Sequence, residues 1–99
     1  MTRKQSSFYV LDQDNRAVSV SGENWSFDAA KRTVAKTILD SRVSVSTVFL
    51  GLDHGDDKTP QLFESMVFGG EMDGESRRYA TWEEAKNGHQ QLVQELSKA

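Results

Sequence analysis

The sequence predicts an α+β domain in which a mainly antiparallel sheet of about five to six strands, built from hairpins, packs against a C-terminal amphipathic helix. Short runs rich in β-branched and aromatic residues alternate with turn-forming segments before Thr81, and an apolar stripe of helical period follows it. The 99 residues contain no linker, so we expect residues 1–99 to form a single domain. Because a chain of this length buries a modest share of its surface, we also expect a homo-oligomer.

The composition argues against several classes of protein. Apolar residues make up 36% of the chain and charged residues 27%, which is typical of a folded domain and not of a disordered segment. There is no Cys, so disulfides and thiolate metal sites are excluded and a reducing cytoplasm is the expected compartment. No run approaches the roughly 20 apolar residues of a membrane span. The net charge of −3, with scattered basic residues, argues against bulk binding of nucleic acid.

The first hairpin is predicted near the N-terminus. Residues 7–11 and 17–21 are β-type runs, and the polar segment between them contains the Asp and Asn residues that turns favour. In residues 22–30 the apolar residues show no regular spacing of the kind that predicts a strand or a helix. We expect this segment to be a loop or short helix held to the core by Trp25 and Phe27.

Two further hairpins are predicted in the middle of the chain. Residues 32–39 and 43–53 are joined by a short polar link, and the longer run, apolar on both faces in its second half, is the candidate central strand. After a polar loop that contains the single proline, residues 62–68 and 77–80 have strand character. An Asp-Gly pair at residues 73–74 marks the turn of this third hairpin.

The C-terminal helix is predicted to begin at Thr81. Thr81 is a good N-cap, and Glu84 three residues later has the spacing of a capping box. The apolar stripe of the helix consists of Trp82, Ala85, His89, Leu92, Val93 and Leu96. Gly88 in the middle costs about 1 kcal/mol relative to alanine, unless a neighbouring element needs a close approach there.

A glycine pair and two arginines predict an anion site. Residues 69–70 leave backbone N–H groups accessible, and Arg77 and Arg78 precede the positive end of the helix. Phe68 or Trp82 would stack on a base, so the combination is typical of a nucleotide pocket. The alternative is an ordinary hairpin bend with two exposed arginines, since the segment lacks the order of a P-loop.

A polar segment after the candidate central strand offers another kind of site. Asp53, His54, Asp56 and Asp57 supply ligands of the oxygen and imidazole types, although their spacing matches no dedicated metal motif and an ordinary polar loop is the alternative. Glu64 interrupts an apolar strand and would pair with Asp53 as acid and base if their strands are neighbours; otherwise it faces solvent.

His89 lies on the apolar stripe of the helix, where a hydrogen-bonded core histidine is the alternative to a ligand or catalytic role. No serine has the surroundings of a nucleophile elbow, and there is no cysteine, so the sequence does not support covalent hydrolase chemistry.

Three runs, residues 45–54 (VSTVFLGLDH), 62–70 (LFESMVFGG) and 78–85 (RYATWEEA), followed by Gly88 and His89, resemble a family of short uncharacterised proteins encoded by bacteriophages and prophages. The resemblance covers roughly the C-terminal half and brings no activity, cofactor or catalytic residue with it. It implies a phage accessory protein in the host cytoplasm, of the kind that binds a host defence protein or its signalling nucleotide. The polar and glycine positions that it selects are Asp53, His54, Glu64, Gly69, Gly70, Arg78, Trp82 and His89.

The leading hypothesis is therefore a non-catalytic phage protein, without a cofactor, that sequesters a small anionic ligand such as a nucleotide signal of host defence. The candidate ligand-binding residues are Asp53, His54, Glu64, Phe68, Gly69, Gly70, Arg77, Arg78, Trp82 and His89. One alternative is a metal-assisted hydrolase with Asp53, His54 and Asp57 as ligands, His89 as an additional ligand and Glu64 as base. Another is a protein-interaction module that inhibits a host defence protein.

Overall fold

The computed structural model describes residues 8–53 and 59–97. In chain order its elements are β1 (Phe8–Leu11), β2 (Ala17–Val20), a 3₁₀ turn (Gly22–Asn24), α1 (Phe27–Ala30), β3 (Arg32–Asp40), β4 (Val43–Phe49), β5 (Phe63–Phe68), β6 (Ser76–Tyr79) and α2 (Trp82–Ser97). Every strand pairing is antiparallel, and α2 packs on strands β3 to β6. The predicted α+β class is confirmed.

The six strands form two sheets instead of the single sheet that the sequence predicts. Strands β1 and β2 form one sheet, and the order of the other is β3-β4-β5-β6, with the predicted central strand in an inner position. That strand ends at Phe49 and does not continue to residue 53. Gly51 has φ of +74°, and its carbonyl accepts a hydrogen bond of 2.8 Å from the N–H of Tyr9. The chain after β4 therefore turns away and pairs with β1, where Leu52 bridges Phe8.

The turn between β1 and β2 is held by one side chain. Asp12 Oδ1 accepts hydrogen bonds from the N–H groups of Asp14 (2.8 Å) and Arg16 (3.0 Å), and Asn15 adopts a left-handed conformation with φ of 63°. The hydrogen bond from Arg16 is the main reason why the pKa of the Asp12 carboxyl lies below its ordinary value. This turn therefore presents residues 14–16 in a defined arrangement.

The segment after β2 contains the short helix that the sequence allowed. Trp25 packs against Phe8 with ring centroids 5.0 Å apart, and its Nε1–H donates to the carbonyl of Tyr9 at 2.9 Å. The expectation that Trp25 holds this segment is confirmed. The same expectation for Phe27 is wrong, because that side chain is 42% exposed and its ring contacts the Lys31 ammonium instead.

Helix α2 begins where the sequence predicts. Thr81 Oγ1 accepts the N–H of Glu84 at 3.1 Å, and Glu84 Oε1 accepts the N–H of Ala80 at 3.0 Å. The apolar stripe of α2 covers one face of the four-stranded sheet. The buried apolar side chains between them form two clusters, which consist of Phe49, Leu62, Phe63 and Ala85 and of Val45, Val67 and Leu92.

The opposite face of the four-stranded sheet is here named the open face, because no described helix or strand packs on it. Alternation along the paired strands places these residues there: Lys36, Ile38, Ser44, Ser46, Val48, Glu64, Met66, Phe68, Ser76 and Arg78. Within residues 8–53 and 59–97, no helix combines the length and hydropathy that a membrane span requires.

Candidate functional site

The two predicted anion-binding arginines point to opposite faces of the sheet. The Arg77 guanidinium, on the α2 side, donates to both carboxylate oxygens of Glu95 at 2.9 and 3.0 Å. Those hydrogen bonds raise the pKa of Arg77 above its ordinary value. Arg78, on the open face, donates from Nε to Glu64 Oε2 at 3.3 Å. Each arginine is therefore paired with a carboxylate of its own, and the two do not form a common pocket.

The predicted glycine bend adjoins Phe68, one of the two predicted stacking residues, but Trp82, the other, lies at the opposite end of β5. Gly69 and Gly70 follow its last residue, whereas Trp82 packs edge-on against Phe63, its first residue, with ring centroids 6.4 Å apart. Six strand residues span roughly 17 Å. The N–H of Gly69 donates to Asp73 Oδ1 at 2.6 Å, so its hydrogen-bonding capacity is used inside the hairpin.

The carboxylates and histidines of the hydrolase hypothesis are dispersed as far as the structure describes them. His54, Asp56 and Asp57 lie outside the described residues. Asp53 follows the bridge between Leu52 and Phe8, beyond the end of β4, whereas Glu64 lies within β5. Across residues 8–53 and 59–97, no three acidic or histidine side chains are placed to hold a metal ion.

His89 lies on the α2 side of the sheet, opposite to Glu64, at the centre of a buried row of polar groups. Its Nε2 is 2.8 Å from Thr37 Oγ1, and its Nδ1 is 2.7 Å from Thr47 Oγ1. The Thr47 hydroxyl contacts the Ser65 hydroxyl, which accepts a hydrogen bond of 3.1 Å from the Tyr79 hydroxyl. Thr47, Ser65 and His89 are buried. We name these five residues the polar row.

One arrangement of protons satisfies the whole polar row. Tyr79 donates to Ser65, Ser65 donates to Thr47, and Thr47 donates to Nδ1 of His89, which leaves Nε2–H to donate to Thr37. This assignment requires a neutral imidazole, and burial lowers the pKa of His89 accordingly. Because substrate cannot reach a row enclosed between helix and sheet, we assign it a structural role.

The lowered pKa of His89 predicts that stability falls in mild acid. In the unfolded chain a histidine has a pKa of about 6.5. Above that pH the imidazole is neutral in both the folded and the unfolded chain, so its protonation does not lower the free energy of unfolding. As the pH falls below it, the unfolded chain binds the proton more readily, and the free energy of unfolding decreases by up to about 1.4 kcal/mol per pH unit until folded His89 titrates. Urea unfolding between pH 7.5 and 5 measures this decrease.

The matched control for this prediction is the second of the two histidines in the chain. His54→Gln should retain the decrease in stability, whereas His89→Gln should flatten it over the same pH range. If His89→Gln and the unmodified protein show equal slopes, the decrease comes from other groups.

A cleft lies where the turn of the first hairpin approaches the start of α2. Its volume is about 480 Å³. It is lined by Asp14, Asn15, Arg16, Ala17, Phe63, Ala80, Thr81, Trp82 and Glu83. We name it the turn–helix cleft. Of the residues that the sequence singled out for a ligand, Trp82 lies here.

The turn–helix cleft combines an aromatic wall with charged groups of both signs. Trp82 is half-buried and packs on the fully buried Phe63, so its ring is held in place. Arg16 is exposed, and its guanidinium makes no ion pair or side-chain hydrogen bond within residues 8–53 and 59–97. Asp14 and Glu83 supply carboxylates. The cleft can therefore hold a planar ring together with a polar or charged substituent.

Sequence reasoning missed Arg16, Asp14 and Asn15 as site residues. Their local pattern is that of a β-turn, and that is the structure they form. Their position beside Trp82 depends on packing between residues more than 60 positions apart in the chain. A pattern among neighbouring residues does not predict a contact between residues so far apart in the chain.

Comparison with protein-family models, with curated proteins and with solved structures finds no match to this chain. The fold and the geometry of the clefts are therefore the basis for a functional proposal.

Proposed function

We propose that this protein acts by non-catalytic binding of a nucleotide in the turn–helix cleft. The observation that carries the proposal is the cleft itself, because its volume of about 480 Å³ is within the range typical of small-molecule sites and an aromatic wall lies beside a guanidinium that forms no ion pair among the described residues. The base would stack on Trp82, and the phosphate would contact Arg16.

The remaining groups of the cleft fit the polar edge of a base. Asp14 and Glu83 accept hydrogen bonds, and the side-chain amide of Asn15 both donates and accepts. These two carboxylates also oppose a ligand with high negative charge. We therefore expect a nucleoside monophosphate or a cyclic nucleotide to bind more tightly than a triphosphate.

A binding role agrees with the chemistry of the lining residues. They include no histidine, and the Thr81 hydroxyl accepts a hydrogen bond from the N–H of Glu84 to cap α2. Together with the resemblance to phage proteins, this supports sequestration of a nucleotide signal of host defence in the host cytoplasm.

Isothermal titration calorimetry with AMP, GMP, cyclic AMP, cyclic GMP and cyclic dinucleotides tests the proposal. Arg16→Ala should weaken binding by about tenfold, because a charge-assisted contact to phosphate is lost. Arg42→Ala is the matched control, since Arg42 is also an exposed arginine in a hairpin turn but lies outside the cleft. It should leave the Kd unchanged.

Tryptophan fluorescence locates the ligand independently. The chain has two tryptophans, so Trp25→Phe leaves Trp82 as the single reporter. A nucleotide that stacks on Trp82 should quench its emission in a saturable manner. If no nucleotide changes this signal or releases heat at millimolar concentration, the proposed function is wrong.

A further inference from the structure

The open face of the sheet carries apolar side chains that a free surface would not need. Ile38 and Phe68 are 69% and 49% exposed. They flank Ser44 in one row across the three strands, because Ser44 is paired with both. Since Ser44 is small, a hollow forms between the two larger side chains. The apolar side chain of another molecule would fit between them.

This hollow continues to the turn between β3 and β4 as a groove of about 270 Å³. The groove is lined by Lys36, Ile38, Asp40, Ser41, Arg42, Val43, Ser44, Phe68 and Gly69. Two of the residues that the sequence singled out, Phe68 and Gly69, therefore belong here and not to the turn–helix cleft.

The charge of the groove is positive although the protein is negative. Lys36 and Arg42 form no ion pair within the part of the chain that the structure describes. Asp40 turns toward the backbone and accepts the N–H groups of Arg42 (2.7 Å) and Val43 (3.0 Å). Glu64, further along the face, is paired with Arg78. Two cations thus remain available in a chain whose net charge is −3.

We propose that the open face binds an acidic segment of another protein. An apolar side chain of that segment enters the groove between Ile38 and Phe68, and flanking carboxylates contact Lys36 and Arg42. Charge complementarity selects an acidic partner, and the apolar row provides the buried anchor that interfaces need at their centre.

The same observations disfavour two other occupants. A second copy placed face to face would bring Lys36 and Arg42 of both copies toward each other. Single-stranded nucleic acid binds through several stacked aromatic rings, whereas Phe68 is the one aromatic residue on the described open face and Ile38, Val48 and Met66 are not aromatic.

Fluorescence anisotropy with labelled probes tests this proposal on the full chain. The probes are a glutamate-rich dodecapeptide with a central leucine, the same peptide with a central serine, a lysine-rich peptide with a central leucine, and a dodecamer of deoxythymidine. We expect the first peptide to bind most tightly, with an affinity that falls as salt is added. Lys36→Glu combined with Arg42→Glu should weaken that binding by about tenfold or more.

Two further variants test the contribution of the apolar anchor and the specificity of the charge effect. Phe68→Ser should abolish the preference for leucine over serine, and because the replaced ring is half exposed the fold is retained. Arg16→Glu is the matched control, since it reverses an exposed charge in the turn–helix cleft and should not change peptide binding. Its effect on nucleotide binding keeps this proposal distinguishable from the previous one.

Several results would overturn the proposal. These are failure of the glutamate-rich peptide to bind, unchanged binding by the doubly charge-reversed variant, and tighter binding of the lysine-rich peptide or the oligonucleotide. A concentration-dependent dimer that Ile38→Ser dissociates in sedimentation would show that a second copy covers the face.

Discussion

Gly88→Ala is expected to destabilise the protein by about 2 to 4 kcal/mol, which for a domain of this size lowers Tm by roughly 10–20 °C. A Cβ at position 88 would lie 2.2 Å from Cε1 of Tyr79 and 2.4 Å from its hydroxyl oxygen. Either α2 must move away from the sheet or the tyrosine ring must leave its place and lose the hydrogen bond to Ser65. The helix propensity of alanine offsets about 1 kcal/mol of this cost.

Asn87→Ala provides the control, because Asn87 is exposed on the same turn of α2. It should change the free energy of unfolding by less than about 0.5 kcal/mol. In a double-mutant cycle, Gly88→Ala should lower the free energy of unfolding much less in the Tyr79→Ala background than in the unmodified protein, since the clashing ring is then absent. If thermal denaturation shows Gly88→Ala to be as stable as the unmodified protein, the close approach of helix and sheet described here is incorrect.

His89→Leu is expected to cost about 2 to 4 kcal/mol, measured by urea unfolding at pH 7.5. The substitution keeps the apolar packing but removes both imidazole nitrogens, so the Thr37 hydroxyl loses its hydrogen bond to Nε2 and the Thr47 hydroxyl keeps only its contact with Ser65. A buried polar group left without a hydrogen bond costs about 1–3 kcal/mol, and His89 contacts two of them.

A second substitution tests whether the cost of His89→Leu comes from lost hydrogen bonds or from altered packing. Adding Thr37→Val to His89→Leu replaces the hydroxyl that lost its hydrogen bond by a methyl group, so the double variant should recover part of the lost stability. Thr37→Val by itself should be destabilising, because His89 Nε2 then loses its partner. Additive effects of the two substitutions would show that they do not interact.

Most elements of the fold were predictable because the sequence patterns that indicate them each span only a few neighbouring residues. Alternating apolar residues in β3 to β5, the Asp-Gly turn and the capping interaction of Thr81 and Glu84 each act within a few residues, and the structure contains all of them. The division into two sheets was not predictable from such signals. It depends on the turn at Gly51 and on the hydrogen bond between that residue and Tyr9, which are far apart in the chain.

The predicted anion pocket combined residues by proximity in sequence. Arg77 and Arg78 are neighbours, and strand geometry therefore directs them to opposite faces. Gly70 and Trp82 are 12 positions apart, but the β5–β6 hairpin carries the chain back to the start of β5, where Tyr79 pairs with Phe63, so the two residues lie near opposite ends of that strand. By contrast, the suggestion that Gly88 permits a close approach rested on a single backbone position, and Tyr79 supplies the approaching group.

The polar row has a consequence for how α2 finds its place on the sheet. Apolar contacts alone would allow α2 to shift along the sheet, since leucine and valine side chains pack in many arrangements. Moving α2 by one turn, about 5.4 Å, would carry the imidazole away from Thr37 and Thr47, so that both hydroxyls lose their hydrogen bonds to His89. The row therefore discriminates between alternative alignments that the apolar contacts would accept, and one histidine selects the alignment in which helix and sheet are observed.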